Sequence, residues 1–335
     1  MSRGVSVVIP MYNVAAWIEE TLETVRTQTF PGSAVEIVLV DDASTDESVA
    51  KARAFLERHE LDGRVVEQER NQGASAARNA GWRLAKYEWI QFLDGDDLLL
   101  PRKLETHMAA AAGATSDVAV LHGRWQRYGP NEGMWHRYGP THAARIVGDS
   151  VVAILSDHDF GYVGPTLIRR AFLDRVGGFD EQLDLGEDFD LMLRIAMAGG
   201  TFREVPSDGP LFLYRSTPGS LGRRAGEELP SILRLREISR RAERFLRDRG
   251  GLGREARLAV AGRYTRCLEF FFEHDRKSFA ETLGWLRELG LTTPPGMRPG
   301  MQLVSSVVGL ENALGIRGSF RRAKAWITTR LRRVA

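Results

Sequence analysis

Three short apolar runs, separated by stretches of helical spacing and each ending in polar residues, constrain this chain more than any other feature. "VSVVI" (5–9), "VEIVLV" (35–40) and "EWIQFL" (88–93) are β-branched or aromatic at most positions, the pattern of strands buried on both faces. Between the first two, Trp17, Ile18, Leu22 and Val25 recur at helical spacing. Two further helical stretches, near 45–59 and 73–86, precede the third run. Strands alternating with helices predict a parallel α/β sheet. Ligands of such sheets bind at the carboxyl ends of the strands. There the first run ends in "PMYN", the second in Asp41-Asp42 and the third in Asp94-Gly95-Asp96-Asp97. Acids after a strand also cap helices or make turns. Two acidic clusters on one sheet edge favour a shared ligand over that reading.

The chemistry of the ligand follows from what is present and what is missing. "IPMYNVAAW" lacks the glycine-rich turn of a dinucleotide-binding strand, and no GxxxxGK[ST] phosphate loop occurs. The glycine- and lysine-rich loop expected of a nucleotidyltransferase after the first strand is absent too. Close carboxylates call for a hard cation, Mn²⁺ or Mg²⁺, held by one or two carboxylates and completed by phosphates and water.

In order along the chain stand "VSVVIPMYN", "VDDASTD", "NQGASAARNAG", "FLDGDD", "VGGFDE" and "GEDFDLMLR". A bare D-x-D arises by chance roughly once in a chain of this size; six ordered segments are far more specific. Over residues 3–220 the chain resembles the family 2 glycosyltransferases. The resemblance implies a GT-A fold, a mixed, mainly parallel α/β sheet flanked by helices, here followed by a C-terminal helical region. It also implies an inverting transfer of a sugar from a nucleotide diphosphate sugar, with UDP-sugars the expected class, to the hydroxyl of a saccharide or lipid-linked acceptor. The alternative is a non-catalytic nucleotide-sugar-binding homologue. Asp42, Asp96 and Asp188 together argue against it, since a protein without turnover has no need of a base.

Position by position, the resemblance implies that Asp42 accepts a hydrogen bond from the nucleobase, with Pro10 and Tyr12 lining that pocket and Arg78 on its opposite wall. Asp96 resembles the principal metal ligand. Asp94 belongs beside the ribose or a metal-bound water, and Asp97 is a helix cap or a supporting acid. Asp188 matches the general base that takes the acceptor's proton, and Glu187 orients the acceptor. Read alone, Glu187, Asp188 and Asp190 are also ordinary acids of a helix first turn, favoured by its dipole. The family often continues Tyr-Arg-x-His; here "YRSTPGSLGRR" has Thr217 in place of the histidine. Either phosphates and water complete the metal, or Arg215, Arg223 and Arg224 help neutralise the diphosphate.

A near-repeat, "WQRYGP" (125–130) and "WHRYGP" (135–140), flanks Asn131-Glu132-Gly133 and predicts a hairpin. Its aromatics, Trp125, Tyr128, Trp135 and Tyr138, either form a wall for an acceptor sugar or pack as an ordinary aromatic edge. His122, His136, His142 and His158 show no metal-ligand spacing and read as core or solvated. The chain divides into a catalytic region (1–220), a helical region (221–300) with helices near 227–249, 254–274 and 276–289, and a tail (301–335).

Net charge of +2 conceals an asymmetry: residues 1–220 hold 22 basic and 32 acidic side chains, and residues 221–335 hold 24 and 12. In the tail, Phe320, Ala323, Ile327, Leu331 and Val334 recur at helical spacing among seven basic residues, with Trp326 beside them. Such a helix lies on an anionic membrane or packs against the acidic N-terminal region. One cysteine, Cys267, excludes an internal disulfide, and no window reaches the length of a membrane span. The N-terminus lacks a signal-peptide pattern. A cytoplasmic location, at the inner face of the membrane where the tail attaches, is expected, with no nucleic-acid partner.

Overall fold

Strand β1 (Gly4–Met11) is buried at every position and lies inside a seven-stranded sheet with a strand on either side, as a mostly apolar run requires. The computed structural model describes residues 4–30, 34–131, 134–157, 162–216 and 229–291. These fall into two compact units, residues 1–225 and 226–335.

In the first unit, β1 pairs in parallel with β2 (Ala34–Asp41), which pairs in parallel with β3 (Gly63–Glu67). On its other side β1 pairs in parallel with β4 (Trp89–Phe92). After the short β5 (Leu98–Leu99) come β6 (Val118–His122), β7 (Trp125–Asn131), β8 (Met134–His142), β9 (Thr166–Arg169), β10 (Thr201–Glu204) and β11 (Phe212–Arg215). The main sheet runs β10-β6-β9-β4-β1-β2-β3, with only β9 antiparallel to its neighbours. A second sheet, β5-β11-β7-β8, carries the near-repeat as an antiparallel hairpin. The strand–helix alternation predicts the parallel strands, and the mixed, mainly parallel α/β architecture as a whole is the one the resemblance implies.

Helices α1 (Ile18–Arg26), α2 (Ser48–Arg58) and α3 (Ala74–Leu84) fill the connections between the first four strands. α1 buries Ile18, Thr21, Leu22 and Val25 at i, i+3, i+4 and i+7, the stripe of an amphipathic helix. Trp17, expected on that stripe, is instead the cap residue before it. α3 lies so close to the sheet that a Cβ on Gly81 would stand 2.4 Å from Val8 Cγ1. Four more helices follow: α4 (Lys103–Ala112), α5 (Ser150–Ser156), α6 (Arg170–Val176) and α7 (Glu187–Met197).

The second unit holds α8 (Leu229–Asp248), α9 (Arg254–His274) and α10 (Arg276–Glu288), close to the expected bounds. Its core is partly polar. Buried Glu243 accepts hydrogen bonds from the Tyr264 hydroxyl, Arg240 Nη1 (2.7 Å) and Arg247 Nε (2.8 Å), so its charge is compensated where it lies. Cys267 is buried beside Leu268 and Phe271, and burial pushes its thiol up to about 12. No helix among the described residues is long and apolar enough to cross a membrane. The tail 301–335, the turn at 132–133, His158, Thr217, Arg223 and Arg224 lie outside the described residues.

Candidate functional site

The carboxyl ends of β1, β2 and β4 meet because of their register. Met11 pairs with Asp41, the Asp42 N–H donates to Met11 O (2.8 Å), and the Leu93 N–H donates to Val8 O (3.0 Å). "PMYN" and "VDDASTD" are then interlocked by side chains. Asn13 Oδ1 accepts from the Thr45 N–H (2.8 Å), and Ser44 Oγ accepts from the Asn13 N–H (2.9 Å). Asn13 sits at φ 53°, in the left-handed region where asparagine is more at home than most residues. Pro10 is buried in β1, and Tyr12 is 50% exposed at the rim.

Asp42 is 3% exposed, and each carboxylate oxygen takes a backbone amide, Gln72 N–H at 2.7 Å and Gly73 N–H at 2.8 Å. It fastens the start of α3 to the end of β2. Each oxygen keeps a second lone pair, so the group can accept one more donor.

The D-G-D turn sits against the end of β1, where a Cβ on Gly95 would stand 3.0 Å from Val14 Cγ2 and 3.3 Å from Pro10 O. The Asp97 N–H donates to Asp94 O (3.0 Å), and Thr21 Oγ1 donates to the carbonyls of Gly95 and Asp97. Two buried arginines flank its acids. Arg78 Nη2 donates to Asp94 Oδ1 (2.7 Å); the Arg215 N–H donates to Asp97 Oδ1 (2.7 Å), and Arg215 Nε to Asp96 O. Burial, with Asp96 and Asp94 adjacent, holds the Asp97 carboxyl well above the carboxylate range, and Arg215 offsets part of this. Asp94 and Asp96 are partly exposed. Among the described residues no three ligating side chains gather around one point. Two partly exposed carboxylates, with diphosphate oxygens and water to complete the coordination, fit the donor set of Mg²⁺ or Mn²⁺, not that of a closed protein cage.

Asn79 ties "AARN" to "VGGFDE". Its Oδ1 accepts from the Phe179 N–H (2.9 Å), and its Nδ2 donates to Phe179 O (2.9 Å) and Glu181 Oε1 (2.8 Å). Gly178, at φ 78°, leaves room for this: a Cβ there would stand 2.4 Å from Asn79 Oδ1. The stitch brings the first turn of α7 onto Arg78, one residue earlier on α3. Arg78 Nη1 donates to Glu187 Oε1 (3.3 Å) and lies 3.8 Å from Asp188 Oδ1. Its guanidinium, expected on the wall of a base pocket, stands between three carboxylates. Burial opposes its charge, but Asp94, Asp188 and Glu187 outweigh burial and push its pKa up.

The three acids of the α7 first turn separate by partner. Asp190 Oδ2 accepts from Arg194 Nε (2.6 Å) within the helix. Asp188, 8% exposed, accepts the Val163 N–H (3.0 Å) at Oδ2, while Oδ1 has no hydrogen-bond partner among the described residues. Burial pushes the Asp188 carboxyl up to about 8; Arg78 opposes this, and Glu187 and Asp94 add to it. Asp188 Oδ1 is buried and faces the Arg78 guanidinium at 3.8 Å; a carboxylate anchored at one oxygen, with its pKa raised, can act as a general base.

The remaining expected site residues lie on the second sheet. Trp125, 3% exposed, stacks on His142 at 4.1 Å and touches Tyr162 and Tyr214, so it belongs to the core rather than to an open wall. Trp135 is half-buried against Arg215. His122 is buried, and burial lowers its pKa to about 4. Asn79, Glu20 and the Val163 amide were not singled out from the sequence, and Trp17 was read only as part of a helical stripe. The adjacency of Asn79 to Arg78 inside "AARN" was the one available signal for any of them.

Residues 6–176 match the sequence model of glycosyl transferase family 2. The chain is 34% identical over 226 residues to the succinoglycan biosynthesis protein ExoO of Rhizobium meliloti (strain 1021), covering 65% of this chain and 62% of that protein. It is 36% identical over 128 residues to the glycosyltransferase GlyG of Streptococcus pneumoniae serotype 4, covering 38% of this chain and 41% of GlyG. The chain thus spans less than two thirds of the length of both relatives. Among solved structures it resembles S. aureus TarS 1–349 in complex with UDP-GlcNAc (TM-score 0.64, 20% identity, 96% of this chain and 92% of that one). It also resembles the mannosyltransferase PcManGT from Pyrobaculum calidifontis in complex with GDP-Man and Mn²⁺ (TM-score 0.57, 20% identity, 94% and 85%). At that identity the likeness concerns the fold.

Proposed function

The chain belongs to glycosyl transferase family 2, and on that premise we propose that it transfers a sugar, with inversion, from a nucleotide diphosphate sugar to an acceptor hydroxyl. The observation that carries the reading is the Arg78 cluster. One buried guanidinium joins Asp94 of the D-G-D turn to Glu187 and Asp188 of α7, so the donor-side and acceptor-side acids share a frame.

In this reading the nucleobase meets Asp42, through the lone pairs its two amide partners leave, with Pro10 and Tyr12 beside it. Asp94 and Asp96 would hold the divalent cation. When bound, the cation neutralises the charge that develops on the departing nucleoside diphosphate. Asp188 Oδ1 takes the acceptor proton as the acceptor oxygen attacks the anomeric carbon on the face opposite the diphosphate, which inverts that centre. Glu187, fixed by Arg78, orients the acceptor. A UDP-sugar is the proposed donor, supported by the UDP-GlcNAc complex of the similar TarS structure. A place in polysaccharide synthesis is supported by the name of the ExoO relative. The basic tail is proposed to bring the protein to an anionic, acceptor-bearing membrane surface.

The test is incubation with UDP-, GDP- and dTDP-sugars and Mn²⁺, following nucleoside diphosphate release and the anomeric configuration of the product by NMR. Release from one donor class with inverted product is expected. Retained configuration would remove Asp188 from the role of base, and no release from any donor would overturn the reading.

A further inference from the structure

The near-repeat "WQRYGP…WHRYGP" has no part in the reading above, yet its aromatic residues surround Arg215. Tyr128 comes from β7, Trp135 from β8, and Trp17 from the start of α1. The Arg215 guanidinium carbon lies 4.6 Å from the Trp17 ring centroid, 4.9 Å from Trp135 and 5.4 Å from Tyr128. The rings also pack on one another: Trp135 meets Trp17 edge-on at 5.3 Å and Tyr128 at 5.3 Å. Faces of aromatic rings attract a guanidinium and fix its plane.

Its hydrogen bonds point elsewhere. Nη2 donates to Glu20 Oε2 on α1 (2.7 Å), Nε donates to Asp96 O, and the backbone N–H donates to Asp97 Oδ1 (2.7 Å). The Arg215 side chain is only 1% exposed. A group so enclosed acts on a ligand through its neighbours, not by touching it. Its neighbours on the polar side are the backbone of the D-G-D turn and the acid beside it.

We propose that the β7–β8 hairpin sets the conformation of the D-G-D turn through Arg215, which makes Trp17, Tyr128, Trp135 and Arg215 positioning residues of the donor site. Three adjacent acids repel one another, and a turn carrying them spreads unless both sides are held. Arg78 holds the Asp94 side, and Arg215 holds Asp96 and Asp97. Lysine cannot replace Arg215, because a single ammonium cannot stack between the rings while reaching both a carbonyl and a carboxylate. The near-repeat then has a physical reason. Each copy supplies one ring to the same cation, Tyr128 from the first and Trp135 from the second. The proposal rests on the reading of this turn as the donor site.

The experiment compares the full chain with Arg215→Lys, Trp135→Leu and the double variant. Hydrogen–deuterium exchange is followed without ligand, and Mn²⁺-dependent binding of UDP, GDP and dTDP by calorimetry. Amides of residues 97–99 should exchange about tenfold faster in Arg215→Lys and about threefold faster in Trp135→Leu, as expected of a local opening. The double variant should match Arg215→Lys, because the ring acts only through the cation, and β1 and β2 should keep wild-type protection. Nucleoside diphosphate affinity should fall in the same order. Wild-type exchange of the turn in both single variants, multiplied effects in the double variant, or equal acceleration in β1 and β2 would each overturn the proposal. Faster exchange in the turn alongside a wild type that binds no nucleoside diphosphate would uphold the positioning and overturn the donor reading instead.

Discussion

Replacing Asp188 by asparagine separates its chemistry from its place in the fold. The amide oxygen can still accept the Val163 N–H, so α7 keeps its anchor. What disappears is the proton acceptor. In the wild type, burial places the Asp188 carboxyl at about 8. Only about one tenth is then ionised at pH 7. The basic form grows with pH, so kcat/KM should rise roughly tenfold between pH 7 and the plateau above pH 9. Asp188→Asn should lower kcat/KM by about 10²–10⁴-fold at the plateau and flatten the profile. Stability should move the other way. The folded-state pKa lies above the unfolded value near 4, so the contribution of Asp188 is complete below pH 4 and is lost as pH rises through 8. The asparagine variant has no such loss. Its stability should therefore gain on that of the wild type from pH 5 to 8, by on the order of 1 kcal/mol per pH unit, with a matching rise in relative melting temperature. Initial-rate pH profiles and calorimetric melts measure both. A variant within a few-fold of wild type, or a wild-type profile falling between pH 7 and 9, would refute the reasoning.

Asp96→Ala should abolish the Mn²⁺-dependent part of nucleotide-sugar binding in calorimetry while leaving the fold intact; retained Mn²⁺ dependence would place the cation elsewhere. Asn79→Ala strands the Phe179 N–H and carbonyl and should cost about 3 kcal/mol in denaturant unfolding. Because the stitch carries α7, transfer should also fall more than donor affinity does. Truncation at Gly300 should remove salt-sensitive co-sedimentation with anionic liposomes; equal, weak pelleting of both chains would rule out attachment through the tail.

The runs buried on both faces were legible because apolar residues fill most of their positions, with Ser6, Glu36 and Gln91 the buried exceptions, so β1, β2 and β4 and the helices between them follow from spacing. β3 was not foreseen. It is a half-buried strand of five residues that includes Gly63, Arg64 and Glu67, and neither an apolar run nor a strict alternation marks it. The short strands β9, β10 and β11 have four residues each, and long-range pairing rather than local pattern defines them. At the site, the acids were visible as clusters at strand ends and at a helix start. Arg78 and Arg215 were named as well, but not as the partners of these acids. Arg215 lies 118 positions from Asp97, and Glu187 lies 109 from Arg78. Nothing in local spacing announces such partners. The aromatic near-repeat was visible as a hairpin, but its common target, Arg215, sits on a strand that only the folded sheet places beside it.

The most direct test of the account is a thermal melt of the wild-type chain with UDP-, GDP- and dTDP-sugars, each with and without Mn²⁺. A ligand that binds only the folded state at 100 times its Kd adds about 2.7 kcal/mol of stability. The account predicts a clear upward shift with one class of nucleotide sugar, larger with Mn²⁺ than without. An unchanged melting temperature with every donor, in the presence and absence of Mn²⁺, would contradict it.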